Sequence, residues 1–83
     1  MKFIIIKYTE GYHIQIKEMF KYDRTIAEYL DLSLKKYQNI LKSHNAYLPV
    51  YYYLDYYFKN LEDAEEAVIE LEPYLIMVIL MEE

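Results

Sequence analysis

The chain has 83 residues, 55% of them hydrophobic, with one Gly, two Pro and no Cys, a composition that fits one globular domain (residues 1–83) with a small core. The absence of Cys excludes disulfides, thiolate metal sites and a Cys nucleophile, and a single Gly excludes a glycine-rich phosphate loop. The net charge of −5 disfavours simple nucleic-acid binding at long range, yet it is unevenly spread: Lys35, Lys36 and Lys42 stand without any acid in residues 33–54, whereas nine acids face only Lys59 after residue 54.

Residues 2–8, KFIIIKY, are Ile-rich and aromatic and predict a strand. Thr9-Glu10-Gly11 predicts a hairpin turn, with the glycine supplying a positive φ. Tyr12, Ile14, Ile16 and Phe20 then alternate with His13, Gln15 and Lys17, the pattern of a half-buried antiparallel strand. A helix is expected from a cap at Asp23 or Thr25 to about Asp31, Thr25 and Glu28 having the spacing of a capping box. Ser33 is placed to cap a second helix from Leu34 to about His44, whose inner face carries Leu34, Tyr37, Ile40 and Leu41.

After Asn45 and Pro49, alternation predicts a strand over Val50–Phe58. Asn60 is placed to cap a third helix with a core stripe of Leu61, Ala64, Ala67, Val68 and Leu71. Pro73 is expected to end that helix. The β-branched content of Leu75–Leu80 (LIMVIL) then favours a strand over a short helix. The expected fold is α+β: β-hairpin, αα-hairpin, strand, helix, strand, giving a three- to four-stranded, mainly antiparallel sheet with helices packed on it.

Ile26, Ala27, Leu30, Leu32, Tyr37 and Ile40 have the spacing that fixes two crossing helices, so residues 23–45 resemble a DNA-binding helix-turn-helix, with Asp31 at the turn position where such motifs usually carry Gly. The resemblance implies a second helix in the major groove. Lys35, Gln38, Asn39 and Lys42 would share its outer face, with Lys36 beside them. Gln and Asn can pair with adenine edges, and Lys can reach guanine or phosphate. The same spacing serves an ordinary αα-hairpin with a solvated polar face.

On the third helix, Glu62, Glu65, Glu66 and Ile69 are expected to face outward. An apolar residue ringed by carboxylates suits a contact with a basic partner protein, and closely spaced carboxylates can imitate a row of phosphates in a nucleic-acid-binding enzyme. Tyr51, Tyr53 and Tyr57 would form a row on one face of the 50–58 strand, a second protein contact or a homodimer surface. Against catalysis, the two histidines, His13 and His44, lie on separate elements. Ser33 and Ser43 are expected to be a cap and a surface residue, and no His, Asp or Glu cluster has metal-ligand spacing. The expectation is a non-enzymatic protein with no cofactor and no metal.

The longest apolar run, Tyr74–Met81, has eight residues, against the roughly 20 a membrane helix needs, and the run in MKFIIIKY is too short for a secretory signal core. A cytoplasmic protein without a membrane partner is therefore expected. In its size, acidity, lack of Cys, and stretch FKNLEDAEEAVIEL followed by EPYLIM, the chain resembles the short orphan proteins of phages and prophages. That resemblance implies an inhibitor or regulator of a host system, anti-CRISPR proteins included, acting in the host cytoplasm. The lead expectation is an inhibitor that grips a basic partner through its acidic helix; a small helix-turn-helix transcriptional regulator is the alternative.

Overall fold

A computed structural model of the chain describes residues 2–17, 26–49 and 56–82, of which 76–82 are described by backbone alone. Strands β1 (Lys2–Tyr8) and β2 (Gly11–Lys17) form an antiparallel hairpin with register Lys2↔Lys17 to Tyr8↔Gly11, closed by Thr9 and Glu10. Period-two alternation sorts their side chains. Phe3 and Ile5 of β1 join Tyr12, Ile14 and Ile16 of β2 on the core side, while Ile4, Ile6 and Tyr8 share the reverse face with His13 and Gln15. Phe20, expected to extend the core face, lies outside the described residues.

Gly11 stands where the hairpin meets the rest of the chain. Its φ is +140°, and a Cβ there would lie 2.6 Å from the Phe58 carbonyl oxygen and 3.0 Å from the Tyr47 hydroxyl. That proximity lets Tyr12 and Phe58 exchange two backbone hydrogen bonds of 2.8 Å each. Tyr57 exchanges two of 2.9 Å with Tyr47, whose hydroxyl also donates to the Glu10 carbonyl. These pairings are isolated bridges beside β2. Among the described residues the sheet has two strands, so the expected three to four are not seen; residues 50–55 of the expected 50–58 strand lie outside the description.

Helix α1 is described over Ile26–Tyr29, and the expected caps Asp23 and Thr25 lie outside the described residues. Its end is well defined. Asp31 takes φ +55°, its N–H donates to the Glu28 carbonyl at 3.1 Å, and Leu32 N–H reaches back to Ala27 at 2.9 Å. This paired closure is a Schellman motif with Asp where Gly is usual. Helix α2, Leu34–Ser43, starts at Ser33, whose Oγ accepts from Lys36 N–H at 3.1 Å, the cap expected from sequence. It closes in the same way as α1. Asn45 takes φ +66°, and bonds run from Asn45 N–H to Lys42 and from Ala46 N–H to Leu41. Leu34, expected on the inner face of α2, is 57% exposed.

Helix α3 runs from Leu61 to Glu82 with Pro73 inside it. The expected stop at Pro73 and the expected strand over 75–80 are therefore corrected: these residues continue the helix, which at 22 residues is about 33 Å long. Proline in a helix interior costs about 3 kcal/mol, because it lacks an N–H and crowds the preceding turn. Two features offset this. Ala64, Ala67, Leu71 and Leu75 are all buried, so the core stripe passes straight through the proline turn. Pro73 and Ile69 are both exposed, so the Ile69 carbonyl that loses its donor lies on the water side. Leu61 was expected in the stripe but is 43% exposed at the helix start, where Asn60 contributes its carbonyl to Ala64 N–H and its side-chain amide to Asp63.

The core lies between the inner face of the hairpin and the helices. Phe58 and Leu71 are its largest fully buried side chains, and Ala64 and Ala67, with no exposed surface, let the α3 backbone come close. No buried polar or charged residue occurs among those described. No helix among the described residues is long and apolar enough to cross a membrane.

Gly11→Ala is expected to destabilise the fold by at least about 2 kcal/mol, since it combines a strained φ with a clash against main chain. Asp31→Gly is expected to do the reverse, by about 0.5 kcal/mol, because Gly accepts the left-handed C′ position without strain. Chemical denaturation of both variants checks the two signs.

Candidate binding surfaces

The outer face of α3 follows from the burial of the opposite one. With Ala64, Ala67, Leu71 and Leu75 turned inward, Glu62, Glu65 and Glu66 are exposed and Ile69 is 66% exposed among them. Leu61 adds a second exposed apolar side chain two turns before Ile69, with Glu65 between them. The surface is thus an apolar pair with carboxylates around it. Helical periodicity alone aligns Leu61 with Ala64 and Val68; its place as the first residue of α3 leaves it exposed.

One flank of this face is already engaged. His44, at the end of α2, places Nε2 2.5 Å from Glu70 Oε2 and Nδ1 3.8 Å from Glu66 Oε2. The imidazole is one-fifth exposed, and the contact ties α2 to α3. Glu66 therefore leans toward α2, whereas Glu62 and Glu65 form no ion pair among the described residues. The two carboxylates address opposite ring nitrogens and do not converge on a point. No group of three or more His, Asp or Glu is placed to hold a metal ion among the described residues. Sequence periodicity puts His44 in line with Tyr37 and Leu41 and so gives it a packed position; only the crossing of α2 over α3 supplies its acidic neighbours.

On α2, Lys35, Lys36, Asn39 and Lys42 are exposed and Gln38 is half-buried. Lys36 and Lys42 are turned to aromatic rings, with Nζ 4.9 Å from the Tyr74 centroid and 6.0 Å from the Tyr56 centroid. An open groove of about 440 Å³ beside them is lined by Ser33, Lys35, Lys36, Asn39, Ile40, Ser43 and Glu70, so cationic and anionic side chains share its walls. The turn between α1 and α2 has the left-handed residue that a helix-turn-helix requires, at Asp31.

The expected row of tyrosines is corrected at the one position the structure describes. Tyr57 is only 5% exposed: its pairing with Tyr47 lays it against the reverse face of the hairpin, its ring 6.1 Å from Tyr8 edge-on and 5.1 Å from His13. It is a packing residue and not an outward contact. Tyr51 and Tyr53 lie outside the described residues.

Comparisons with protein-family models, with curated protein sequences and with solved structures give no match.

The His44–Glu70 contact is partly exposed, so its coupling is expected to be small, about 0.5 kcal/mol. A double-mutant cycle with His44→Ala and Glu70→Ala, read by chemical denaturation, measures it; a coupling near zero means that the crossing of α2 and α3 is held by apolar packing alone.

Proposed function

We propose that the chain is a non-enzymatic binding protein that engages a basic partner protein through the outer face of α3. The observation that carries this reading is Ile69, 66% exposed, with exposed Glu62, Glu65 and Glu66 around it. Removing Ile69 from water against a partner contributes apolar burial, while the carboxylates select a cationic rim and speed encounter. Leu61 extends the apolar centre toward the start of the helix. The surface suits an inhibitor that occupies a cationic channel of a nucleic-acid-processing enzyme, in keeping with the resemblance to short phage proteins, a host-defence nuclease being one such target.

The alternative, DNA docking through α2, rests on exposed Lys35, Lys36, Asn39 and Lys42 with half-buried Gln38. Against it stand Glu70 in the adjoining groove and the chain's net charge of −5.

Immobilised wild-type chain is expected to retain a protein of basic surface from host extract. Glu62→Lys/Glu65→Lys and, separately, Ile69→Asp are expected to lose that protein while keeping the wild-type circular dichroism and melting curve. The double reversal leaves Glu66 and Glu70 at His44, so the fold contact survives. Equal retention by both variants overturns the proposal. Duplex binding at low salt that is lost on Lys35→Ala/Asn39→Ala favours the alternative.

A further inference from the structure

We infer that β1 is a docking edge for a second copy of this chain, pairing antiparallel about Ile5 to join two hairpins into one continuous sheet. The argument starts from Tyr12, whose N–H and C=O both go to Phe58, on the side of β2 away from β1. Residues of an antiparallel strand point their main-chain groups to alternate sides. Gly11, His13, Gln15 and Lys17 therefore bond across to Tyr8, Ile6, Ile4 and Lys2, their register partners. On β1 this leaves the N–H and C=O groups of Phe3, Ile5 and Lys7 directed off the outer edge, where no strand pairs with them among the described residues.

That edge lacks the usual protections. It has no Pro and no bulge, its only charges are Lys2 and Lys7 at the ends, and Phe3–Ile6 are four consecutive apolar residues that stay partly exposed. An apolar edge with no partner among the described residues is a template for strand addition. On the far side of β2 Phe58 is paired with Tyr12, whereas a β1-to-β1 contact uses the same edge in both copies and so closes as a two-fold dimer.

The sequence of β1 favours a second copy over an unrelated strand. Keeping the core faces of two copies aligned requires a register in which residues of like parity meet. Centring on Ile5 uses all three outward residues: Ile5 meets Ile5 of the second copy, Phe3 meets Lys7, Ile4 meets Ile6 and Lys2 meets Tyr8. Every cation is then opposite an aromatic ring and no like charges face each other. Lys7 already approaches a ring within its own chain, its Nζ 5.7 Å from the Tyr12 centroid. The pairing forms six backbone hydrogen bonds, two at Ile5 and four between Phe3 and Lys7, counted from the alternation of an antiparallel ladder.

Amide hydrogen exchange with sedimentation equilibrium tests this across micromolar to millimolar protein. In the dimer the Phe3, Ile5 and Lys7 amides become protected as concentration rises, while those of Ile4, Ile6 and Tyr8 are protected throughout by β2. Lys7→Pro removes an outward N–H, leaves the β1–β2 bonds in place, and is expected to abolish the dimer with Ile4 and Ile6 still protected. A chain that stays monomeric, with Phe3, Ile5 and Lys7 exchanging rapidly at every concentration, overturns the inference. So does a dimer that leaves those three amides unprotected. Should Lys7→Pro fail to fold, the wild-type exchange pattern alone decides.

Discussion

The backbone of Phe58 approaches Gly11 so closely that no other residue fits at position 11 without displacing main chain. This contact sets the geometry of most of what surrounds it. It lets Tyr12 and Phe58 pair, which fixes the 56–58 segment against β2 and buries the Phe58 ring completely in the core. Three residues later α3 begins, so the position of its first turns relative to the sheet follows from the same pair. Tyr57, one residue away, must point to the opposite face, where Tyr8 and His13 receive it. A single glycine thus links the hairpin, the central aromatic residues and the long helix.

Much of this was legible where a pattern is local. The alternation of Tyr12, Ile14 and Ile16 identified β2 and its buried face, and Ser33 marked the start of α2 through the spacing of its hydroxyl to the Lys36 amide. The outward setting of Glu62, Glu65, Glu66 and Ile69 was readable because Ala64, Ala67 and Leu71 fix the phase of the helix. What escaped depended on non-local context. Pro73 was given the weight of a terminator, although Leu75 continues the spacing of Ala64, Ala67 and Leu71 and binds the far side of the proline to the same core. Tyr57 reads as outward by alternation alone; its burial comes from Tyr8 and His13, which are distant in sequence. His44 needed a helix crossing to acquire Glu66 and Glu70.

Tyrosine also shapes the electrostatics. Lys7, Lys36, Lys42 and Lys59 each approach a tyrosine ring, at Tyr12, Tyr74, Tyr56 and Tyr47. Such contacts hold a cation close to the fold without an acidic partner. Glu62 and Glu65 have no ion-pair partner among the described residues, and the acidic character of α3 survives in a chain that also carries a basic segment. Among the described residues His44 draws part of the acidic face inward, which divides α3 into a flank joined to α2 at Glu66 and Glu70 and a flank at Glu62, Glu65 and Ile69 that faces water.

Pro73 has an effect on that second flank that extends beyond helix geometry. Because proline has no N–H, the carbonyl of Ile69 stands without its intrahelical donor beside the exposed Ile69 side chain. The surface therefore offers a main-chain acceptor amid carboxylates and a branched hydrocarbon. A lysine or arginine of a partner reaching the acidic rim could place one of its N–H groups on this oxygen, so recognition there would include a fixed, directional contact alongside diffuse charge.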